Sequence, residues 1–460
     1  MTSARSDDMS HTNEPGGSRR PHVLIIVQNL PVPLDRRVWL ECQALMANGY
    51  RVSVICPKGP GDPSRQVIDG ISIYKYKPSP EANGLAGFAL EFAYSWIRTF
   101  LLSFPAARRG RFAVIQACNP PDTYWLLAWF WRLFGARFVF DQHDLNPELF
   151  RSRFGEPQGG LRGVEYRGLL WLERRTYRAA QRVVSTNESY RRIAIGRGGK
   201  APENVTVVRS GPDTRSMRPI YPTDPRPVDG IELVYLGIMG PQDGVDTCLR
   251  VVDELVTKRG RTNVHATLLG FGDSLAELQQ LNAELGLGDH VTFTGRADKP
   301  MIAQHLSRAD IGLCPDLKTP LNDVSTMNKT MEYMAYALPS VSFDLVETHV
   351  SGGDSVLYVE SGDVSAFADA VERLIDDSGL RQRMGEQART RVSEELDWRP
   401  QARAYVGVFD DLTGTIRTAV TDANPQPPSE LDEWGARYVP LGAGKALARF
   451  ILDRRAPGLG

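Results

Sequence analysis

The chain has 460 residues, about three times the ~150 of a single domain, so two domains are expected. Its 54 Lys and Arg against 55 Asp and Glu give a formal charge of −1, which excludes the domain-wide basic field of a nucleic-acid binder. With 42% hydrophobic residues and a mean hydropathy of −0.29, the composition is that of a soluble globular chain.

The first twenty residues (MTSARSDDMSHTNEPGGSRR) are polar, lack the apolar core of a signal peptide, and read as a disordered leader, 1–20. His22–Gln28 (HVLIIVQ) is apolar throughout, as in a parallel strand buried on both faces. Asp35 can then cap a helix whose face carries Val38, Cys42 and Leu45, and Gly49 can end it. Strands follow at Val52–Cys56, Ala113–Cys118, Phe138–Asp141, Arg182–Ser185 and Val205–Val208, with helix-like stretches between. Leu85–Phe104 is long enough to span a bilayer, but Glu91 and Arg98 would sit inside it, so no span is expected. Five prolines between Pro212 and Pro227 mark a linker. A second strand series runs through Glu232–Gly237, Ala266–Gly270, Val291–Gly295, Ile311–Pro315, Ser340–Asp344 and Val356–Glu360. Two Rossmann-like α/β halves are therefore expected, with doubly wound parallel sheets whose carboxyl ends face a common cleft. Trp398–Leu412 reads as a late helix, Thr421–Pro428 as a linker, and Lys445–Leu452 as a short terminal helix. The five cysteines (Cys42, Cys56, Cys118, Cys248, Cys314) are dispersed without C-x-x-C, which points to a reducing compartment rather than a disulfide framework.

Ser325–Pro339 (STMNKTMEYMAYALP) is the most informative segment. Ser325 or Thr326 can cap a helix that carries Lys329 in its first turn and Glu332 one turn on. A lysine there opposes the helix dipole unless an anion is bound, and amides plus ammonium could then converge on a phosphate. The bland alternative is a solvated Lys329–Glu332 pair. Gly237–Asp246 (GIMGPQDGVD) and Leu269–Asp273 (LGFGD) are glycine-rich strand-end turns. They either approach a ligand or simply connect strand to helix. Asp141–Glu148 (DQHDLNPE) sets His143 and Asp144 just past a strand, as functional or as structural groups. There is no D-x-D to hold a divalent metal and no G-x-S-x-G.

Taken together, QNLPVPLDRRVWLECQALMANGYRVSVI, DQHD, LGIMGPQDGVD and MNKTMEYMAYALPSVSFDLVETHVSGGDSVLYV give the chain its resemblance. It resembles the retaining glycosyltransferases of family 4, which have the two-Rossmann GT-B fold, and is most similar to the subgroup building capsules, O-antigens and other exopolysaccharides. The resemblance implies metal-independent transfer of a sugar from a nucleotide-diphosphate sugar to a glycan or lipid-linked acceptor, with retention of configuration and no cofactor. It implies an acceptor-side domain at 21–211, a linker at 212–230 and a nucleotide-sugar domain at 231–397. A helix at 398–420 would return to the first domain, ahead of a linker and short tail at 421–460. Lys329, His143 and Asp144 would be catalytic. Glu332, Asn328, Ser325, Thr326, Gly240, Gln242, Gly244, Gly270, Gly272 and Glu347 would bind the donor. Val324 stands where the family has the earlier glutamate of its E-x7-E motif, with Asp323 one residue off, and Asp243 replaces a usual basic residue, leaving Lys329 to supply the positive charge. The expected location is cytoplasmic, at the inner face of the membrane if the arginine- and aromatic-rich Phe92–Arg111 is an interfacial anchor rather than a core-packing helix. A non-catalytic partner of another transferase, or a sugar-nucleotide epimerase, is the alternative function.

Overall fold

The computed structural model describes residues 20–79, 84–224, 230–423, 429–441 and 444–454. The leader therefore lies, except for Arg20, outside the described residues, as do parts of both linkers. Fourteen strands form two sheets among them. The first contains β1 (His22–Ile26), β2 (Arg51–Pro57), β3 (Arg65–Ile68), β4 (Ile71–Tyr76), β5 (Phe112–Cys118), β6 (Arg137–Gln142), β7 (Arg182–Ser185) and β8 (Val205–Val207). Their order is β3-β4-β2-β1-β5-β6-β7-β8, parallel except for the β3–β4 hairpin. The second contains β9 (Ile231–Leu236), β10 (Val264–Leu269), β11 (Val291–Gly295), β12 (Ile311–Cys314), β13 (Ser340–Phe343) and β14 (Val356–Val359), all parallel, in the order β11-β10-β9-β12-β13-β14. This is the GT-B architecture.

The β3–β4 hairpin was not foreseen. Ile68 pairs with Ile71 across Asp69 and Gly70, both at positive φ (50° and 79°), the geometry of a two-residue Asp-Gly turn.

The first domain's core has two faces. On one, Val23, Ile25 and Val54 of the sheet meet Val38, Cys42 and Leu45 of the helix Arg36–Ala47. Asp35 caps this helix by accepting from the Val38 amide at 3.1 Å, and Gly49 follows it at φ 79°. The same cluster takes in Tyr405, Val406 and Phe409 from the helix Trp398–Thr413, whose Tyr405 hydroxyl donates to Gln116 at 2.5 Å. The opposite face holds Leu24, Ile26 and Ile115 under the helices Gly84–Ala107, Trp125–Arg132 and Gly160–Ala179. Among the described residues no helix is long and apolar enough to cross a membrane. All five cysteines are buried free thiols.

In the second domain the terminal helix Gly444–Asp453 packs Phe450 and Ile451 around Ala337. Arg454, buried just beyond it, donates to the carbonyls of Tyr336 and Ala337, the buried residues just past the end of the helix Asn328–Ala335.

Candidate functional site

In open α/β sheets a ligand crevice forms where the strand order reverses, outside the carboxyl ends. The second sheet reverses between β9 and β12, and the first between β1 and β5.

The turn after β9 and the turn after β10 are stacked backbone on backbone. Gly237 and Met239 donate to the carbonyls of Leu269 and Phe271 at 3.0 and 2.9 Å. A Cβ on Gly270 (φ 157°) would lie 1.8 Å from the Gly237 carbonyl oxygen, and one on Gly272 2.5 Å from that of Met239. These two glycines thus have a packing reason to be there. Gly244 (φ 63°) closes the first turn against the Pro315 carbonyl. Asn322 holds that turn from the side by donating to the Gln242 carbonyl at 2.9 Å, and the Gly240 amide donates to Asp243 at 2.8 Å.

The helix Asn328–Ala335 begins later than the sequence suggests. Met327 precedes it, and no side chain caps it. Neither Ser325 nor Thr326 is the cap, because both turn to the first domain. The Tyr190 hydroxyl bonds Ser325 Oγ at 2.8 Å, and Asn187 donates to Thr326 Oγ1 at 3.0 Å and to the Val324 carbonyl at 2.9 Å. Glu347 is likewise taken from across the cleft. It accepts from Ser189 Oγ at 2.5 Å and lies 3.7 Å from Arg209, both members of that ion pair buried or nearly so.

Asn328 is exposed at the helix start. Lys329, one residue on, is 10% exposed and bonds Asp316 Oδ1, just beyond β12, at 2.5 Å, with its Nζ over the Tyr235 ring. Burial works against its charge, but Asp316 and Asp243 together hold the ammonium above its ordinary range. The lysine that opposes the helix dipole therefore has an anion from the protein itself. Glu332 points into the cleft, 17% exposed, and forms a 2.9 Å ion pair with Arg36 of the first domain. Val324 joins Leu321 in an apolar contact with Leu145, Leu149, Tyr190 and Ile193, bridging the two domains. Its neighbour Asp323 accepts from the Val346 amide at 3.0 Å, at the start of the helix Val346–Gly352.

On the first-domain side, Asn119 organises the turn after β6. Its side-chain oxygen accepts from the amides of His143 and Asp144 (2.8 and 3.1 Å), and its nitrogen donates to the Asp144 carbonyl. His143 Nε2 meets Asp141 Oδ2 at 2.8 Å. Asp141 is fully buried and also receives Arg37 at 2.9 Å and Gln116 at 2.9 Å, while Arg37 pairs with buried Glu41 at 3.1 Å. Burial resists charge on His143, yet the Asp141 carboxylate holds it up, to about 9. Arg37 and His143 hold Asp141 well below the usual carboxylate range in spite of its burial. Burial and Asp141 push Glu41 up to about 8. Burial also raises Asp144.

Cys118, Asp141 and His143 offer ligand atoms within 4.8 Å of one another. The donor set does not suit a divalent cation. Both Asp141 oxygens are occupied, His143 is held protonated, the thiol is raised by burial, and a guanidinium lies alongside. Arg36, Arg209, Asn187 and Asp316 were not singled out from the sequence. Only the run LDRRVW carried a hint, and it gave no role to either arginine.

The fold and this two-sided cleft define a GT-B glycosyltransferase fold. Residues 34–211 match the family described as glycosyl transferase 4-like domain, and residues 230–377 that described as glycosyl transferases group 1. The chain belongs to the family-4 GT-B glycosyltransferases. It is 31% identical over 43% of its length to an alpha-D-kanosaminyltransferase of Streptomyces kanamyceticus, and 27% identical over 53% to a D-inositol 3-phosphate glycosyltransferase of Acidothermus cellulolyticus. The matches span about half of those relatives, 48% and 56%. Sucrose-phosphate synthase from Thermosynechococcus elongatus superposes with a TM-score of 0.69 at 18% identity, over 86% of this chain and 100% of that one.

Proposed function

We propose that this protein transfers a sugar from a nucleotide-diphosphate donor to a glycan or lipid-linked acceptor in cell-envelope polysaccharide synthesis, with retention of configuration and without a metal. The observation that carries the reading is the pairing of two surfaces. Stacked glycine turns and an uncapped helix N-terminus bearing Lys329 and Glu332 lie on one domain, and the other domain's strand ends bear His143 and Asp144. Glu332 would take the ribose hydroxyls, and the helix amides with Lys329 would face the diphosphate. The acceptor hydroxyl would attack from the face the diphosphate leaves, with a diphosphate oxygen receiving the proton. The protein's part is then positioning and stabilisation of charge on the leaving group. A protonated His143 suits electrostatic stabilisation better than proton abstraction.

Work at the inner face of the membrane is supported by the helices covering the first sheet. Gly84–Ala107 does pack on the core through Trp96 and Phe100, but exposes Ile97, Leu101 and Phe104. Leu126, Trp129, Leu133 and Phe134 continue the apolar surface, with Arg98, Arg132 and Arg137 exposed around it. Aromatic and basic groups on one face suit anionic lipid.

The test is thermal unfolding with UDP, GDP, ADP and dTDP. One of them, at ~100 times its Kd, adds about 2.7 kcal/mol, with and without EDTA, and Glu332→Ala loses the effect. No response to any of the four would favour the non-catalytic reading, for which the observation is Val324: an apolar contact between domains stands where the family keeps a glutamate.

A further inference from the structure

Resting on the donor reading above, the positive charge of the cleft can be assigned residue by residue. Lys329 is held between Asp316 and Asp243, one cation against two carboxylates. Arg37 is held by Asp141 and Glu41, His143 by Asp141, and Arg209 stands by Glu347. A diphosphate added to this arrangement would meet an acidic second domain. Arg36 differs from these cations in its partner and its setting. It is the first residue of its helix and is 33% exposed. It crosses the cleft to Glu332, the carboxylate that a ribose would claim. Its remaining bonds are weaker ties to the Ser210 carbonyl and Met217 sulfur, both at 3.2 Å.

We infer that Arg36 is a donor-binding residue contributed by the first domain: the nucleotide's ribose displaces it from Glu332, and the guanidinium passes to the diphosphate. The Arg36–Glu332 pair then marks the donor subsite. Two groups that neutralise each other exchange partners for the two parts of one ligand. A guanidinium suits this role because its planar fork can bind two phosphate oxygens at once. The exchange also gives the first domain a direct hold on the donor.

The experiment is calorimetric titration of the full chain and of Arg36→Met with the nucleoside diphosphate that stabilises the wild type, and with the matching nucleoside. Removing a charged hydrogen bond to phosphate weakens diphosphate binding tenfold or more. Nucleoside affinity stays the same or rises, since Glu332 is released. Arg36→Lys recovers part of the diphosphate affinity. Arg36→Gln, which keeps a donor for the Ser210 carbonyl, gives the same comparison should Arg36→Met fail to fold. Equal affinities for the diphosphate in wild type and variant would show Arg36 to be a latch between domains, and would overturn the inference while leaving the donor reading intact. A wild type that binds none of UDP, GDP, ADP or dTDP would overturn both.

Discussion

Asp141→Asn tests the charge state of the first-domain site. In the wild type the distance from the ordinary histidine value of 6.5 to about 9 corresponds to about 3 kcal/mol of preference for the imidazolium in the folded chain. Because the folded value is the higher one, that stabilisation is complete below pH 6.5 and disappears as the pH climbs through 9. Glu41, held at about 8 against its usual 4.5, also releases its proton within this range and steepens the same loss. With asparagine at 141 the anion is gone, and both burial and Arg37 push His143 down, so the imidazole is neutral at pH 7. Arg37 then loses its Asp141 carboxylate and keeps Glu41 and the Val208 carbonyl, a change that costs about 3–5 kcal/mol. Carbon-13 histidine spectra, with the resonance assigned through His143→Gln, follow the titration directly, and urea unfolding from pH 6 to 9.5 follows its energetic counterpart. A wild-type His143 that titrates at or below 6.5 would refute the argument, as would an Asp141→Asn protein with an unchanged His143.

Three further outcomes are expected. Gly270→Ala drives a methyl into the Gly237 carbonyl at a backbone conformation that favours glycine, so urea unfolding should show a loss above about 2 kcal/mol and weaker nucleotide binding. Arg197 bridges Glu148 at 2.5 Å and Glu173 at 2.7 Å, and both carboxylates are almost completely buried; Arg197→Ala should cost about 3–5 kcal/mol at pH 7, measured the same way. Trp129→Ser with Leu133→Ser should abolish co-flotation with phosphatidylglycerol vesicles while leaving the unfolding midpoint within a few degrees, since both side chains are exposed; retained flotation would remove this face as the lipid contact.

Much of the fold was legible because its strands are short apolar runs bounded by turns, and parallel strands buried on both faces leave that mark whatever they pack against. The β3–β4 hairpin left a mark too. Asp69-Gly70 between alternating residues is a turn signature, although a doubly wound pattern calls for helices between strands. The site was less legible. Lys329 and Glu332 could be found on one helix because helical spacing is local, but their partners Asp316 and Arg36 are brought by a distant strand end and by the start of a first-domain helix. Ser325 and Thr326 look like caps by residue type, and become contacts to Tyr190 and Asn187 only because the first domain supplies them. The same holds for Val324, whose apolar neighbours are on the other side of the cleft.

The helix Trp398–Thr413 has a consequence for how the chain is made. It fills the first domain's core with Tyr405 and Phe409, yet it leaves the ribosome only after all six strands of the second sheet. The domain that begins first is therefore completed only after the whole second sheet has been made. During synthesis its open face, lined by Val23, Val38 and Cys42, waits while the later domain assembles. The helix bearing Lys329 and Glu332 in turn waits for Arg454 to close its carbonyl end. A fragment stopped near residue 211 would expose that unfilled face, and a chain cut before 444 would leave the Asn328–Ala335 helix unfastened. Each half of the cleft thus depends on a segment that follows the second sheet in the chain.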